Sequence, residues 1–422
     1  MVTTTTRPAE SRLIRLLRSS AGIAIAIAAM NVGTYAFQIV SARLLGPGQY
    51  GAVAGMMALL MVLSVVQLGL QATCARRISA DPHDVAVIEA AVLKTAWRAA
   101  FVVGALAVAA SPLVWKVLRL DGLLPALLLG LTVVPTTIMG AQAGVLQGER
   151  RWLPLSLVYL GVGIPRVLIG AAFLFAWRTE TSAMLGVLIA AWVPVAIGSW
   201  ALGRHPRREG GAAAEHTIRR DVLRETVGSS VALLAFVALS NLDVVVARSG
   251  LGEHDAGLYA GGLIVTKAVL FLPQFAVVIL FPSMSTDGES RGAVIKGLVF
   301  LSALGAACIG ATYVLSDIAL VFIGGKEYAG VQDDLWLFAV LGALLALLQL
   351  LVYAGLARRG AATKYLVAAG VIALVALGSL ATSVIALATT VACVDAAVLL
   401  VLVVLQMVRH RSDAEAAPAP VA

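Results

Sequence analysis

The sequence predicts an all-α polytopic membrane protein with about twelve transmembrane helices. Of its 422 residues, 60% are hydrophobic and 13% are charged, whereas soluble domains have about 45–50% apolar and about 25% charged residues. The apolar residues form blocks of roughly 20, long enough to cross a hydrocarbon layer about 30 Å thick as helix. None of the blocks alternates with a period of two, as the strands of a membrane barrel would. Because lipid offers no hydrogen bonds to the backbone, such blocks must be helical.

The apolar blocks are separated by charge clusters and by Gly or Pro breaks. The first block is too long for the core of a cleavable signal peptide, so we expect it to remain in the membrane as a signal anchor. The last two blocks merge almost directly. The predicted ranges are 20–42, 52–74, 94–115, 122–147, 153–176, 182–202, 226–247, 257–282, 292–315, 333–356, 364–383 and 388–408.

The distribution of basic residues orients the chain. If the N-terminus is cytoplasmic, 23 of the 31 Lys and Arg belong to the inner side and six to the outer side, while Arg166 and Lys267 lie deep inside blocks. The inner count includes four cations at the inner ends of their blocks: Lys94, Arg98, Lys296 and Lys364. Cytoplasmic loops carry the excess of positive charge in membrane proteins. We therefore predict a bacterial cytoplasmic (inner) membrane protein with both termini in the cytoplasm. The same rule accounts for the net charge of +8 without nucleic acid as a partner.

The hydrophilic segments divide the chain into two halves. The longest one between helices, at 203–225, is predicted to be a flexible cytoplasmic linker. It separates an N-terminal six-helix lobe at 20–202 from a C-terminal six-helix lobe at 226–408. Residues 1–19 are predicted to be a cytoplasmic N-terminal segment, and the Ala/Pro-rich residues 409–422 a disordered cytoplasmic tail.

An internal repeat follows the same division. Small residues after the first helix of each half match at one offset, and AlaGlyValLeu at 143–146 matches AlaGlyLeuAla at 354–357 at nearly the same offset. Six helices is an even number, so both halves cross the membrane in the same sense. Such parallel repeats occur in transporters that have a central site between the halves. The first set pairs Gly46, Gly51, Ala54 and Gly55 with Gly252, Gly257, Ala260 and Gly261.

The sequence lacks motifs that are typical of enzymes and metalloproteins. No Walker A, GxSxG or HExxH motif occurs, and Cys74, Cys308 and Cys393 are far apart with no CxxC spacing. The longest loop carries mainly Arg, Gly and Ala rather than His or acids. We therefore predict no catalytic residues, no metal and no cofactor.

Two cations inside the blocks are the strongest candidates for a functional site. A charge at the bilayer centre costs at least about 2.5–3.5 kcal/mol on insertion scales, so it should face a cavity or a partner. Lys267 lies ten residues after Gly257, and Arg166 follows Pro165 in the middle of its block. We predict that both line a cationic cavity for an anionic substrate. A buried ion pair with Asp243 or Asp395 is the alternative.

Further charges are candidates for more specific roles. Arg43 and Arg248 occupy equivalent outer ends of the two repeats, where either substrate contact or interfacial anchoring explains them. Asp243, beside Asn241, and Asp395 are candidates for binding a coupling ion, because a carboxylate in the membrane can change its charge state.

Several segments of the sequence resemble those of one family of membrane transporters. They are Asn31–Gly51, Leu146–Arg151, Asn241–Ala260, Lys267 and Phe281–Pro282. The family is that of the polysaccharide-export and O-antigen-type flippases of the multidrug/oligosaccharidyl-lipid/polysaccharide superfamily. The first segment is similar to the first helix and loop of that family, the second to the loop after its fourth helix, and the others to its seventh and eighth helices. The resemblance covers both halves from about Asn31 to Pro282, and the last four helices match mainly in hydropathy.

The resemblance implies two parallel six-helix lobes around a central cavity that opens to each face in turn. It implies a lipid-linked oligosaccharide with a phosphate or pyrophosphate head as substrate, with membrane lipids and a glycan polymerase or glycosyltransferases as partners. The blocks hold few cations for a heavily charged cargo, so a less anionic substrate remains open. A multidrug or small-molecule exporter of the same fold, a membrane-embedded glycan-processing enzyme and a non-transporting scaffold are the other functions considered.

Overall fold

The structure, a computed structural model, describes residues 20–80, 85–203, 233–284, 291–357 and 361–415. These residues are helical apart from short connections, which confirms the predicted fold class. The predicted segment at 1–19 and nearly all of the predicted linker at 203–225 lie outside the described residues. The helices of the first lobe are α1 Ser20–Leu63, α2 Val65–Ala80, α3 Val85–Ala109, α4 Ser111–Leu118, α5 Leu123–Gly148, α6 Trp152–Ala176 and α7 Glu180–Leu202.

The second lobe repeats this arrangement. Its helices are α8 Leu233–Leu239, α9 Leu242–Gly250, α10 Glu253–Met284, α11 Arg291–Val314, α12 Ser316–Ile323, a 3₁₀ helix at Lys326–Asp334, α13 Leu335–Ala357, α14 Ala361–Gly378 and α15 Val384–Glu415. The helix α15 extends into the segment at 409–422 that was predicted to be disordered.

The first helical run, Gly22–Ala80, makes two membrane passes. A straight helix of its 59 residues would be roughly 90 Å long, about three times the hydrocarbon thickness. The run bends at Gly46, which has φ 68° and ψ 174°. That backbone conformation carries no penalty for glycine, and the following Pro47 suits the first turn of a new helix.

The other passes complete a set of twelve. Within the described residues, eight helical runs are long and apolar enough to span a membrane, and α8 with α9 forms a ninth span bent by 43°. Counting Gly22–Ala80 twice and adding α10 and α14 gives twelve. The eight-residue helices α4 and α12 follow α3 and α11 at equivalent positions of the two lobes.

Small residues bring the helices of each lobe together. In the first lobe, a Cβ built on Gly163 of α6 would lie 2.7 Å from the Cα of Met30 on α1. The two helices therefore approach through backbone contact, as is common in membranes, where the hydrophobic effect between helices is absent. The second lobe has one large apolar core, and Ala42 and Tyr50 of α1 belong to it. The helix α1 thus joins the two lobes.

Candidate functional site

A cavity lies between the two lobes. It has about 40 Å³ of water-accessible space, enough for only a few water molecules. It brings together Lys267, Asp243 and Asn241, three of the predicted site residues. The first lobe contributes Gln38, Tyr50, Ala54, Met57, Ala58 and Met61, and the second lobe contributes Asn241, Asp243, Val244, Ala260, Leu263 and Lys267.

Lys267 is held at a break in the helix opposite it. Its Nζ donates hydrogen bonds to the backbone oxygen of Ser240, at 2.7 Å, and to Oδ1 of Asn241, at 3.0 Å. Both acceptors lie between α8 and α9, where the bend interrupts the backbone ladder and leaves carbonyl oxygens available. Among the described residues, no carboxylate oxygen forms an ion pair with Lys267. Its positive charge is therefore bound by neutral groups at the cavity wall.

Two aspartates lie close to this ammonium group. Oδ2 of Asp243 accepts a hydrogen bond of 2.9 Å from the hydroxyl of Tyr259, while its Oδ1 has no partner among the described residues. Asp395 is fully buried, and within the described part of the chain neither of its oxygens has a hydrogen-bond partner. Both carboxyl groups interact electrostatically with Lys267. The local net charge thus depends on how many of the two aspartates are protonated.

Arg166 lies apart from this cluster. It is half-buried on α6, ten residues or roughly 15 Å from the end of the helix at Ala176. Within the described residues it has no hydrogen-bond or ion-pair partner, and it is not among the residues that line the interlobe cavity. The structure therefore places Lys267 at the interface between the lobes and Arg166 within the first lobe.

Arg248 bridges the lobes at the end of the bundle where α1 bends. Its side chain is 3% exposed. Nε donates to the backbone oxygen of Leu118 at 2.7 Å, Nη1 to that of Gly48 at 3.1 Å, and Nη2 to that of Arg119 at 3.0 Å. A 3.5 Å ion pair with Glu253 adds to these contacts. All three carbonyl groups belong to the first lobe, so the guanidinium donors are engaged in holding the lobes together.

Arg119 and Arg43 make the reverse contacts from the first lobe. Arg119 donates to the backbone oxygens of Leu251, at 2.9 Å, and Ser249, at 2.7 Å. Arg43 is exposed and donates to the backbone oxygen of Val321 on α12. Since α4 and α12 are equivalent helices, Arg43 and Arg248 each donate to a carbonyl group of the equivalent short helix in the opposite lobe.

The repeated glycines meet at the same end. A Cβ on Gly51 would lie 3.1 Å from the Cα of Gly257, and a Cβ on Gly257 would lie 1.9 Å from the oxygen of Pro47. The matching positions Gly51 and Gly257 therefore touch each other across the interface. We call this set of contacts, from Ala42–Gly51, Leu118–Arg119, Arg248–Gly257 and Val321–Tyr328, the closed end.

Sequence reasoning missed the contacts of the closed end. It identified the repeated glycines and arginines but not that they bind the opposite lobe. Arg119 and the hydroxyl of Tyr259 were not recognised, because a lone Arg in a loop and a Tyr in an apolar helix have no pattern that points to a function. The repeat itself was the available signal, since residues equivalent by a pseudo-symmetric duplication meet near the symmetry axis.

A family model described as polysaccharide biosynthesis protein matches residues 17–286, more than half of the chain. No curated protein matches the sequence.

Solved structures with similar folds are transporters, according to their descriptions. An inward-facing multidrug resistance MATE family transporter of the MOP superfamily has a TM-score of 0.76 and 14% identity, covering 95% of this chain and 100% of its own. An outward-facing structure with the same family description has a TM-score of 0.60 and 14% identity, covering 96% and 100%. A MOP superfamily transporter from Pyrococcus furiosus, described as having a binding pocket of reverse polarity, has a TM-score of 0.61 and 14% identity, covering 94% and 98%. The chain therefore belongs to the polysaccharide biosynthesis protein family, and it is a multi-pass membrane protein with the fold of MOP superfamily transporters.

Proposed function

We propose that this protein moves a lipid-linked oligosaccharide, carried on a polyprenyl phosphate or pyrophosphate, from the inner to the outer leaflet of the cytoplasmic membrane. The head group enters between the lobes while the polyprenyl tail stays in the bilayer, and the lobes rock to expose the site to each face in turn. The observation that carries the proposal is the position of Lys267. It is a cation between the lobes that is hydrogen-bonded to neutral groups. A phosphate oxygen can therefore replace the side-chain oxygen of Asn241 as the acceptor of its hydrogen bond.

We assign the structure to a state that is closed at the predicted outer face. All segments of the closed end belong to the predicted outer side of the membrane, so their contacts seal the outer face. The higher TM-score with the inward-facing neighbour, 0.76 against 0.60 for the outward-facing one, agrees with this assignment. Release to the outside then requires the contacts of Arg248 and Arg119 to break.

The two aspartates provide a means of coupling to an ion. Protonation of Asp243 or Asp395, or binding of a cation between them, removes negative charge beside Lys267 and strengthens its attraction for an anionic head group. Loss of the ion has the opposite effect. Asn241 takes part because its side-chain oxygen accepts a hydrogen bond from the ammonium group of Lys267.

Replacing the cation tests the role of Lys267. We expect Lys267→Ala and Lys267→Gln, at normal expression, to lower surface glycan export roughly ten-fold or more, since losing a partner of a buried charge costs about 2–5 kcal/mol. Lys296→Ala is the control, because Lys296 is exposed near the start of α11. Unchanged export in the Lys267 variants would remove this residue from the mechanism.

A multidrug or small-molecule exporter is the second candidate. Two aspartates beside one lysine would also suit a cationic substrate, and two of the similar structures are described as multidrug resistance transporters. Deleting the gene separates the two functions. Loss of surface glycan supports the flippase, whereas intact glycan with greater drug sensitivity supports the exporter. Further deletion of a glycan polymerase or of glycosyltransferases in the same strains would test whether transport depends on these enzymes as partners.

A further inference from the structure

The oxygen atoms that bind Lys267 are of the kind that hold metal cations in transporters. One is the backbone oxygen of Ser240 after the end of α8, and the other is Oδ1 of Asn241. The amide nitrogen of Asn241 donates a 2.8 Å hydrogen bond to the backbone oxygen of Val237, which turns its side-chain oxygen towards Lys267. Backbone carbonyl groups at breaks in transmembrane helices commonly coordinate coupling cations. Here the ammonium group of Lys267 occupies that position.

The carboxylates beside this ammonium group are not fully bonded. Within the described part of the chain, Oδ1 of Asp243 and both side-chain oxygens of Asp395 have no hydrogen-bond partner. The two aspartates interact electrostatically with each other and with Lys267. Two ionised carboxylates beside one ammonium group would leave a single negative charge, which is costly in a buried site. One further positive charge is therefore needed here.

The neighbouring titratable groups do not supply this charge. The hydroxyl of Tyr259, which donates to Oδ2 of Asp243 and interacts electrostatically with Asp395, is neutral. On α14, Lys364 lies over the ring of Tyr365, 5.1 Å from its centroid. The described side chains of α13, which also packs against α15, include no titratable group. The charge must therefore come from an ion in solution.

An alkali ion suits this position less well than a proton. A metal ion must replace its water shell with several oxygen atoms at once, and an ion bound to the oxygens of Ser240 and Asn241 would be repelled by the ammonium group that they already hold. Asp395 is fully buried and is not among the residues that line the interlobe cavity. A proton needs only one oxygen atom, and it can enter at Asp243 on the cavity wall and pass along the hydroxyl of Tyr259.

We propose that the ammonium group of Lys267 takes the place of an alkali cation, and that the ion exchanged at this site is a proton shared by Asp243 and Asp395. The proton comes from water in the interlobe cavity, binds one carboxylate oxygen and returns to water when it leaves. The inference rests on the proposed function for its role in transport, since it names the ion to which that transport is coupled.

Binding of radioactive sodium to the purified full-length protein, measured without cargo at mildly alkaline pH, tests the first half of the proposal. We expect the wild type to bind no sodium above background, because Lys267 fills the site. Lys267→Ala frees the oxygens of Ser240 and Asn241 beside two carboxylates and should bind one sodium ion per molecule. Lys296→Ala is the matched control, because it removes an exposed lysine near the start of α11 and should bind none.

A double variant locates the sodium that Lys267→Ala gains. Adding Asp395→Asn removes one of the two carboxylates and should weaken sodium binding about ten-fold or more. If Lys267→Ala fails to fold, Lys267→Gln takes its place, because glutamine keeps most of the side-chain volume without the charge.

Infrared spectroscopy of the wild type tests the exchange of a proton. Its spectrum should contain the band of a protonated carboxyl group that disappears reversibly as the pH is raised. A variant with both Asp243→Asn and Asp395→Asn should lack this band, so the difference between the two proteins isolates it from other carboxyl groups.

Four outcomes would overturn the proposal. They are sodium binding to the wild type at the level of Lys267→Ala, binding to Lys267→Ala or Lys267→Gln no stronger than to Lys296→Ala, binding that survives Asp395→Asn, and a wild-type spectrum that equals that of the double aspartate variant at every pH. None of these measurements contains cargo, so they do not depend on whether the protein flips a lipid-linked glycan. Failure of the proposed function would appear instead as unchanged glycan export in the Lys267 variants.

Discussion

Gly257→Ala should open the closed end of this protein. In the wild type, the backbone of Gly257 in the second lobe lies directly on that of Pro47 in the first. A Cβ at this position would lie 1.9 Å from the oxygen of Pro47 and 2.2 Å from its carbonyl carbon. Neither atom belongs to a flexible side chain, so the substitution is accommodated only if the two lobes separate.

The size of the effect follows from this geometry. Ordinary non-bonded contacts are about 3.5 Å, so the two backbones must move apart by over an ångström. Overpacking of this kind costs about 1–3 kcal/mol. The cost applies only to the state in which the lobes touch here, because the outward-open state has no such contact. The equilibrium should therefore shift about 5- to 150-fold towards the outward-open state.

Labelling of a cysteine in the interlobe cavity measures this shift. Ala58 lines the cavity and is 5% exposed. In a background without the three native cysteines, Ala58→Cys should react with a membrane-impermeant maleimide only when the outer face opens. In right-side-out vesicles, adding Gly257→Ala should increase the labelling rate at least five-fold.

Gly252→Ala is the control for this experiment. Gly252 lies in the same repeat motif, but a Cβ there has no atom within 4 Å. It should label at the wild-type rate. Equal labelling of the Gly257→Ala and wild-type proteins from the outside would refute the reasoning, as would a rise with Gly252→Ala of the same size.

Three other substitutions test separate parts of the structure. Arg248→Ala leaves the carbonyl groups of three first-lobe residues without their charged donor and should raise outside labelling of Ala58→Cys roughly ten-fold or more, whereas an unchanged rate would contradict its bridging role. Gly163→Ala drives a Cβ to 2.7 Å from a backbone atom of α1 and should lower the unfolding temperature in detergent through about 1–3 kcal/mol of overpacking; Gly310→Ala, with nothing within 4 Å, should leave it unchanged or raise it. Asp395→Asn keeps the shape of a fully buried carboxyl group and removes its charge, so the unfolding temperature should not fall, while transport should lose its dependence on a pH or sodium gradient. Retention of both gradient dependences by Asp395→Asn would exclude this residue from ion coupling.

The fold was predictable from local features of the sequence. Apolar blocks of bilayer length specify helices because lipid allows no other backbone structure. The repeat of Gly46 and Gly51 at Gly252 and Gly257 indicated the duplication, and the structure shows that Gly51 and Gly257 touch. The position of Lys267 between the halves was likewise predictable, since a deep lysine needs a polar surface and the interface between the lobes is one such surface.

The partners of the charged residues were not predictable from the sequence. Arg248 donates to Leu118, which is 130 residues away, and no local pattern specifies so distant a contact. Its acceptors are backbone carbonyl groups, which every residue has, so the residue types give no signal. The bend at Ser240–Asn241 is also hidden, because neither glycine nor proline marks it. Its effect is nevertheless central, since it supplies the two acceptors that hold Lys267.

The central claim is that Lys267 binds the negatively charged head group of the cargo between the lobes. Flipping in proteoliposomes of one glycan on two carriers, polyprenyl pyrophosphate and a neutral polyprenyl ether, tests it directly. The account predicts that the wild-type protein flips the pyrophosphate-linked glycan much faster than the neutral one, and that Lys267→Gln abolishes this difference. Equal rates for the two carriers in the wild type, or a preference that persists in Lys267→Gln, would contradict it.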